Sequence, residues 1–153
     1  MSYASCWQRL AAYLLDVIPI VLIIAGLFYT CFGFDETLRR YFEKGPRDIE
    51  ARSAFLHQRN TIRGLSLVAY LLYAAVMHAS PLQGTFGKRL FAIRVVDWQG
   101  QRISFGRSMT RAFAILASVL PIFIGCLAAF WSPKKQAWHD RIAGTYVIND
   151  PLE

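Results

Sequence analysis

The apolar stretch at residues 9–34, RLAAYLLDVIPIVLIIAGLFYTCFGF, constrains the fold most because it has the length of a membrane-spanning helix. It nevertheless carries Asp16 inside it and Arg9 at its start. A carboxylate near the middle of a spanning helix costs about 2.5–3.5 kcal/mol on insertion scales, so it needs a partner or a function. Because Arg9 and Asp16 are seven positions apart, they lie on one helix face, with Asp16 roughly 10 Å deeper.

Two further apolar blocks lie at residues 64–80 and 112–131. The hydrophobic fraction of 55% is concentrated in the three blocks, which indicates an integral membrane protein rather than a soluble core. We therefore predict an all-α integral membrane protein: one domain over residues 1–153, built as a three-helix transmembrane bundle with spans at about 10–34, 64–80 and 112–131. Pro121 lies inside the third block, so that block either crosses or forms a re-entrant hairpin.

The polar segments between the blocks predict short elements outside the membrane. Residues 35–63 mix seven basic with five acidic side chains around Gly45-Pro46, which is typical of a solvated connector with short amphipathic helices. Residues 92–97 are β-prone, residues 98–100 form a turn, and residues 102–105 are expected to pair back. The sequence thus predicts a small interfacial β-hairpin between helices 2 and 3.

The net charge of +7 resides mainly in these polar segments and is read as a topology signal and as attraction to anionic lipid. Four cations next to the blocks are predicted to contact lipid headgroups: Lys88, Arg89, Lys134 and Lys135. The sequence GTFGKRL does not have the spacing of a phosphate-binding P-loop. The chain carries no recognition motif for nucleic acid, so we expect no nucleic-acid partner.

Two histidines are auxiliary candidates for the site. His78 lies near the end of the second block, either in the headgroup zone or, in an antiparallel hairpin, within reach of Arg9 or Asp16. His139 precedes Asp140, and an imidazole beside a carboxylate suits a proton relay. Cys6, Cys31 and Cys126 form no CxxC pair, so neither a metal nor another cofactor is predicted.

Three motifs together resemble the RDD family of small multi-pass membrane proteins, and the resemblance runs nearly end to end. They are RLAAYLLD at 9–16, GTFGKRL at 84–90 with RVVD at 94–97, and SPKKQ at 132–136 with HD at 139–140. Phe86 stands where the family pattern has proline. The resemblance marks Arg9, Asp16 and Asp140 as the functional charged set. It implies transport, including exchange of sodium for protons, or a place as a subunit of a larger membrane assembly.

Two hypotheses about function follow. In the first, the chain is a transport-related component for a cation or proton: Asp16 binds the ion, Arg9 gates it, and Asp140 completes the pathway at the surface. Three spans enclose little space, so this hypothesis requires a homo-oligomer or a larger membrane complex. In the second, the three residues hold helices and tail together in a non-catalytic assembly or scaffold subunit that binds lipid headgroups or a partner protein. Neither is an enzyme, and both place the chain in the plasma (inner) membrane as a multi-pass protein.

The orientation of the chain in the membrane is left open by its charges. Three spans put residues 81–111 on the opposite side from the tail, and Lys plus Arg counts of seven against ten do not decide which side is cytoplasmic. We favour a cytoplasmic head and 81–111 loop. Pairing of residues 145–149 with 92–97 would instead put the tail on the same side as that loop, with a re-entrant third block.

Overall fold

A computed structural model describes residues 2–119, 132 and 135–150 of the 153. The helices and strands run in the following order: α1 (Cys6–Cys31), α2 (Phe34–Lys44), α3 (Ile49–Ala79), α4 (Phe86–Leu90), β1 (Ile93–Asp97), α5 (Phe105–Val119), α6 (Trp138–Ile142) and β2 (Thr145–Asn149).

α1 begins at a reciprocal cap formed by Ser5 and Gln8. The backbone N–H of Gln8 donates to Ser5 Oγ at 3.2 Å, and that of Ser5 donates to Gln8 Oε1 at 2.9 Å. This S-x-x-Q capping box satisfies two of the donors that a helix start leaves free. The helix then continues through Pro19 to Cys31.

α1 and α3 are long and apolar enough to cross a membrane, α1 with a mean hydropathy of 2.4 and α3 with 1.4 in their most apolar windows. Many of their apolar side chains are exposed, among them Leu22, Ile23 and Val68. The predicted third span at 112–131 lies only partly within the described residues, because residues 120–131 fall outside them. The fold is thus mostly helical with two candidate spans, and the predicted three-helix bundle is not established.

The chain divides into two compact units. The unit Val17–Tyr70 contains α2 and most of α3, and α2 is held by rings that stack: Phe55 lies 4.5 Å from Tyr41 and 6.2 Å from Phe34, centroid to centroid. Gly45, with φ of 79°, ends α2 just before Pro46. α3 starts at Ile49, far earlier than the predicted span, because Asp48 Oδ1 caps the N–H of Ala51 at 2.8 Å.

The other unit comprises the residues up to Asp16 and those from Leu71 onwards. Its sheet has two antiparallel strands, with Ile93 opposite Asn149 and Asp97 opposite Thr145. The head of the chain joins β2, since Ala4 N–H donates to the Val147 carbonyl at 3.0 Å. The buried core of this unit consists of Ala4, Ala12, Ile93, Val95, Ile103 and Val147.

The predicted β-hairpin is wrong in its second strand, because β1 pairs with β2 and not with residues 102–105. The predicted turn forms as expected: Asp97 Oδ1 accepts the N–H groups of Gln99 and Gln101 at 2.9 and 2.8 Å. Ser104 then starts a helix, since its carbonyl accepts the N–H of Ser108 at 3.0 Å and its Oγ that of Arg107 at 3.4 Å. Because the helix has its N-cap at Ser104, the segment between the turn and Ser104 is too short to form a second strand paired with β1.

The sheet also corrects the expected topology of the tail. Residues 93–97 and 145–149 are joined by backbone hydrogen bonds, so they lie on the same side of any membrane. Tyr3 bridges to Ile148, which brings the head to that side as well. A tail opposite the 81–111 loop is therefore excluded. Whether the third block is re-entrant lies outside the described residues.

Candidate functional site

The first turns of α1 present Arg9, Ala12 and Asp16 on one face, as spacings of three and four residues require. This face is the buried one: Ala12 is fully buried, the Arg9 side chain is 13% exposed and Asp16 is 7% exposed. α1 thus carries one cation and one carboxylate into the interior of the unit. The two charges have different partners there.

Asp140, in α6, lies between two arginines. Its Oδ2 is 2.6 Å from Arg9 Nη1, its Oδ1 is 2.7 Å from Arg111 Nη2, and the Ala137 N–H donates to Oδ2 at 3.2 Å. Asp140 is fully buried. A buried carboxylate is tolerated only when its oxygens are well paired, and here both are engaged. We call Arg9, Asp140 and Arg111 the charged clasp.

The clasp keeps Asp140 ionised. Burial works against ionisation, but the guanidinium of Arg111, then His139 and Arg9, outweigh it and hold the pKa of Asp140 well below its usual range. His139 lies beside the clasp, with Nε2 3.4 Å from Asp140 Oδ1. Burial lowers the pKa of His139 to about 4, although the Asp140 charge opposes this shift. His139 is therefore neutral at physiological pH and is not a third charge in the clasp.

Asp16 binds backbone and hydroxyl groups instead of an arginine. Its Oδ1 accepts the Gly87 N–H at 2.8 Å and the Tyr73 hydroxyl at 3.4 Å. The Tyr73 oxygen in turn accepts the Phe86 N–H at 2.8 Å, so the first two donors of α4 are satisfied. Within the described part of the chain, the buried Oδ2 of Asp16 has no hydrogen-bond partner.

Gly87 allows α4 to approach α1 this closely. A Cβ at this position would overlap the carbonyl oxygen of Ala12 and would lie 3.0 Å from Asp16 Oδ2. The glycine of the GKR motif is thus required by backbone contact between the two helices. Lys88, the next residue in α4, is buried inside this unit.

Lys88 lies with Nζ 2.6 Å from His78 Nε2. Both side chains are buried, Lys88 being 8% exposed and His78 2% exposed. Burial, and next the nearby charge of Arg111, hold the pKa of Lys88 well below its usual range. This differs from the predicted lipid contact, because the close packing at Gly87 turns Lys88 inward and away from any headgroup.

The other predicted lipid-contacting cations are placed differently from Lys88. Arg89 Nη1 lies 2.9 Å from Asp150 Oδ2 and is partly exposed. Lys135 is exposed, at a backbone φ of 48°. Lys134 lies outside the described residues.

Of the predicted charged set, the structure joins Arg9 to Asp140 and leaves Asp16 apart. Across the described residues, no hydrogen bond or ion pair links Asp16 to either of them. Asp140 is buried, whereas the transport hypothesis put it at the surface. His78 contacts Lys88, neither Arg9 nor Asp16, and His139 contacts Asp140.

Two residues of the site, Arg111 and Tyr73, were not predicted from the sequence. Arg111 is 3% exposed and also donates to Thr145 Oγ1 at 3.3 Å. Its signal was its place directly before the third apolar block, which matches that of Arg9 before the first. Tyr73 carried no signal that separates it from an interfacial aromatic. Among the described residues, no group of three or more His, Cys, Asp or Glu side chains is arranged to hold a metal ion.

Comparison with known proteins places this site in a family context. Residues 3–144 match the model of the RDD family. The chain is 36% identical over 84 residues to the uncharacterized protein YxaI of Bacillus subtilis (strain 168), covering 55% of each chain. It is 29% identical over 82 residues to a proline-rich antigen homolog of Mycobacterium tuberculosis (strain ATCC 25618 / H37Rv), covering 53% of this chain and 34% of that one.

A longer alignment, with 28% identity over 156 positions, relates the chain to the uncharacterized membrane protein YteJ of Bacillus subtilis (strain 168), covering 99% of this chain and 84% of that one. The matches to YxaI and the antigen homolog thus span about half or less of those proteins. No solved structure matches. The family match covers nearly the whole chain, including Arg9, Asp16 and Asp140, and the chain belongs to the RDD family.

Proposed function

We propose that this chain is an integral membrane protein that serves as a transport-related component for a cation or proton, with Asp16 as the group that holds the ion. The observation that carries the proposal is the state of Asp16, a nearly buried carboxylate with one oxygen fixed by Gly87 and the other without a hydrogen-bond partner among the described residues. Buried polar atoms are rarely left unsatisfied unless they have a task or a further ligand.

Integration in a membrane is supported by the exposed apolar surface of α1 and α3. Leu22 and Ile23 are 66% and 72% exposed, and burying such side chains in lipid removes an unfavourable contact with water. The relative YteJ is also described as a membrane protein. A multi-pass location in the plasma (inner) membrane is part of the proposal.

Under this proposal the charged clasp is a fixed frame. Asp140 has both oxygens on guanidinium groups, so it is poorly suited to release and rebind an ion. Two candidate spans enclose little space, so a transport path requires a homo-oligomer or a larger membrane complex. Exposed cations such as Lys135 are available to anionic lipid headgroups.

The ion pairs of both Asp140 oxygens with arginines also favour a second candidate function, a non-catalytic assembly or scaffold subunit. In that case the clasp holds helices and tail together, and Asp16 only fixes α4 against α1. The two candidates differ in what the loss of the Asp16 charge does. Transport is lost without loss of folding in the first, and folding or assembly is lost in the second.

The test is a flux measurement in proteoliposomes with an imposed pH gradient and Li⁺, Na⁺ or K⁺ outside. Wild type is expected to dissipate the gradient, and Asp16→Asn, which keeps the side-chain shape, is expected to accumulate and fold but to lose the flux. Asp35→Asn is the matched control, since Asp35 is partly exposed and its only ion pair in the described chain, to Arg39, is 3.8 Å long. Wild-type protein without flux, alone or in its native complex, would overturn the transport proposal. Failure of Asp16→Asn to accumulate would favour the scaffold.

A further inference from the structure

The contact between Lys88 and His78 joins two basic nitrogens at 2.6 Å inside the protein. Two nitrogen bases reach this distance only when a proton lies between them, because otherwise two lone pairs face each other. A second proton on the shared side would put two cations in contact. The geometry therefore requires one N–H hydrogen between the two nitrogens, which a Lys88 ammonium, a neutral Lys88 amine or a His78 Nε2–H can each supply. Such a pair can hold one further proton, as an ammonium on Lys88 or as an imidazolium on His78.

No carboxylate takes this proton directly. In the described part of the chain, neither Asp16 nor Asp140 forms an ion pair with Lys88 Nζ. The charged and titratable groups that act on the pair come from three helices: Arg9 and Asp16 on α1, Arg111 on α5, and His139 and Asp140 on α6.

The formal charges of these groups indicate which proton can leave. Arg9, Arg111 and Lys88 supply three positive charges and the two aspartates two negative ones, which leaves the cluster at +1 when both histidines are neutral. The arginines do not release protons in proteins, and Asp140 is held ionised by the clasp. Loss of one proton from the Lys88–His78 pair brings the formal charge to zero, and a neutral Lys88 amine can still donate an N–H to His78.

We propose that Lys88 and His78 form the proton-binding site of this cluster. In the exchange, one N–H bond breaks, the proton passes to water, and a neutral amine and a neutral imidazole remain. The low pKa of Lys88, caused first by burial and then by Arg111, favours this release.

This inference rests on the proposed function for one further step. A monovalent cation bound at Asp16 Oδ2 would raise the formal charge of the cluster from +1 to +2, and release of one proton from the Lys88–His78 pair would restore +1. The negative charge of Asp16 raises the pKa of Lys88. A cation bound at Asp16 would therefore weaken the affinity of the pair for its proton. The Lys88–His78 pair and Asp16 then act as the two halves of an exchange of one cation for one proton.

The test is an NMR pH titration of the whole protein in nanodiscs, with ¹³Cε-labelled lysine. The chain has four lysines, Lys44, Lys88, Lys134 and Lys135. Single substitutions to arginine of the three other lysines identify the Lys88 signal by elimination, so the assignment does not depend on a Lys88 variant that folds. Lys44, which is exposed, is the internal reference.

Lys88 is expected to titrate below the ordinary range of a lysine, because of its burial and the nearby Arg111 charge, and His78→Gln is expected to move the Lys88 midpoint and leave the Lys44 signal unchanged. With ¹⁵N-labelled histidine, the ring signal of His78, identified by single substitutions of His57 and His139, is expected to change at the Lys88 midpoint. Titration of Lys88 together with Lys44, or a His78 ring that does not respond at the Lys88 midpoint, would overturn the inference. If the titration is as expected and proteoliposomes show no flux, the proton site stands and the transport proposal fails.

Discussion

At the scale of single residues, Asp140 shows how a full negative charge is held in a buried place. Two guanidiniums and one backbone N–H surround it, and each of its oxygens lies within 2.7 Å of an arginine nitrogen. A buried ion pair adds little to stability relative to apolar packing, but removing one member leaves the others charged and unpaired. Asp140 is thus the residue whose loss the clasp tolerates least.

Asp140→Asn is expected to lower the free energy of unfolding by about 3–5 kcal/mol, because Arg9 and Arg111 lose their counter-charge in a buried site. The measurement is a denaturant titration in detergent micelles. Asp35→Asn, at a partly exposed site on α2, is the control and is expected to change stability by less than about 1 kcal/mol. Equal stability of wild type and Asp140→Asn would contradict the clasp.

His139 gives the stability a pH dependence with a definite sign. Its pKa is about 4 in the folded chain and about 6.5 when unfolded, so the unfolded state binds more protons between these values. Stability should fall as the pH drops from about 6.5 towards 4, by at most about 3 kcal/mol.

His139→Gln is expected to flatten this part of the profile, whereas His57→Gln, at an exposed position, should leave it unchanged. Unfolding curves of wild type and both variants are compared at pH 7.5 and 4.5, where the low pKa of Asp140 places its own contribution below the window. A profile of His139→Gln as steep as that of wild type would show that another group causes the loss.

At the scale of elements, the sequence was informative about segments and weak about their partners. The β-prone runs at 92–97 and 145–149 are both strands, and the turn at 98–100 is present. The sequence does not predict that these two strands pair with each other, because residues 102–105 lie nearer to β1 along the chain. Ser104, in that nearer segment, is compatible with a strand as well as with a helix N-cap. The sequence predicts an interfacial Lys88. Its burial depends on the contact of Gly87 with α1, and no local sequence pattern indicates that contact.

The contact of α4 with α1 can be tested at Gly87. Gly87→Ala is expected to disrupt the contact, because the new methyl group overlaps the Ala12 backbone and crowds Asp16. Backbone cannot give way as a flexible side chain does, so we expect a loss of about 2 kcal/mol or more, read as a lower midpoint of unfolding.

Gly106→Ala is the matched control, since Gly106 lies in α5 with no atom near the added Cβ. It should be neutral or stabilise the helix by up to about 1 kcal/mol. Equal behaviour of the two alanine variants would exclude a close α1–α4 contact.

At the scale of the whole molecule, the sheet determines which segments share a side of the membrane. Single cysteines at Gln99, in the turn after β1, and at Ile142, in the tail, are expected to react with an impermeant maleimide from the same side, once the three native cysteines have been replaced. Permeabilised membranes provide the control for reactivity. Labelling of the two positions from opposite sides would contradict the β1–β2 pairing.

We propose that the clasp is a fixed frame and that Asp16 and the Lys88–His78 pair exchange a cation for a proton. The most direct test is proton release from purified protein in weakly buffered detergent solution when LiCl, NaCl or KCl is added, with choline chloride as the ionic-strength control. We predict release of about one proton per protein with at least one of the three cations, and none from folded Asp16→Asn or Lys88→Arg. Folded wild-type protein that releases no more protons with any of these salts than with choline would contradict it.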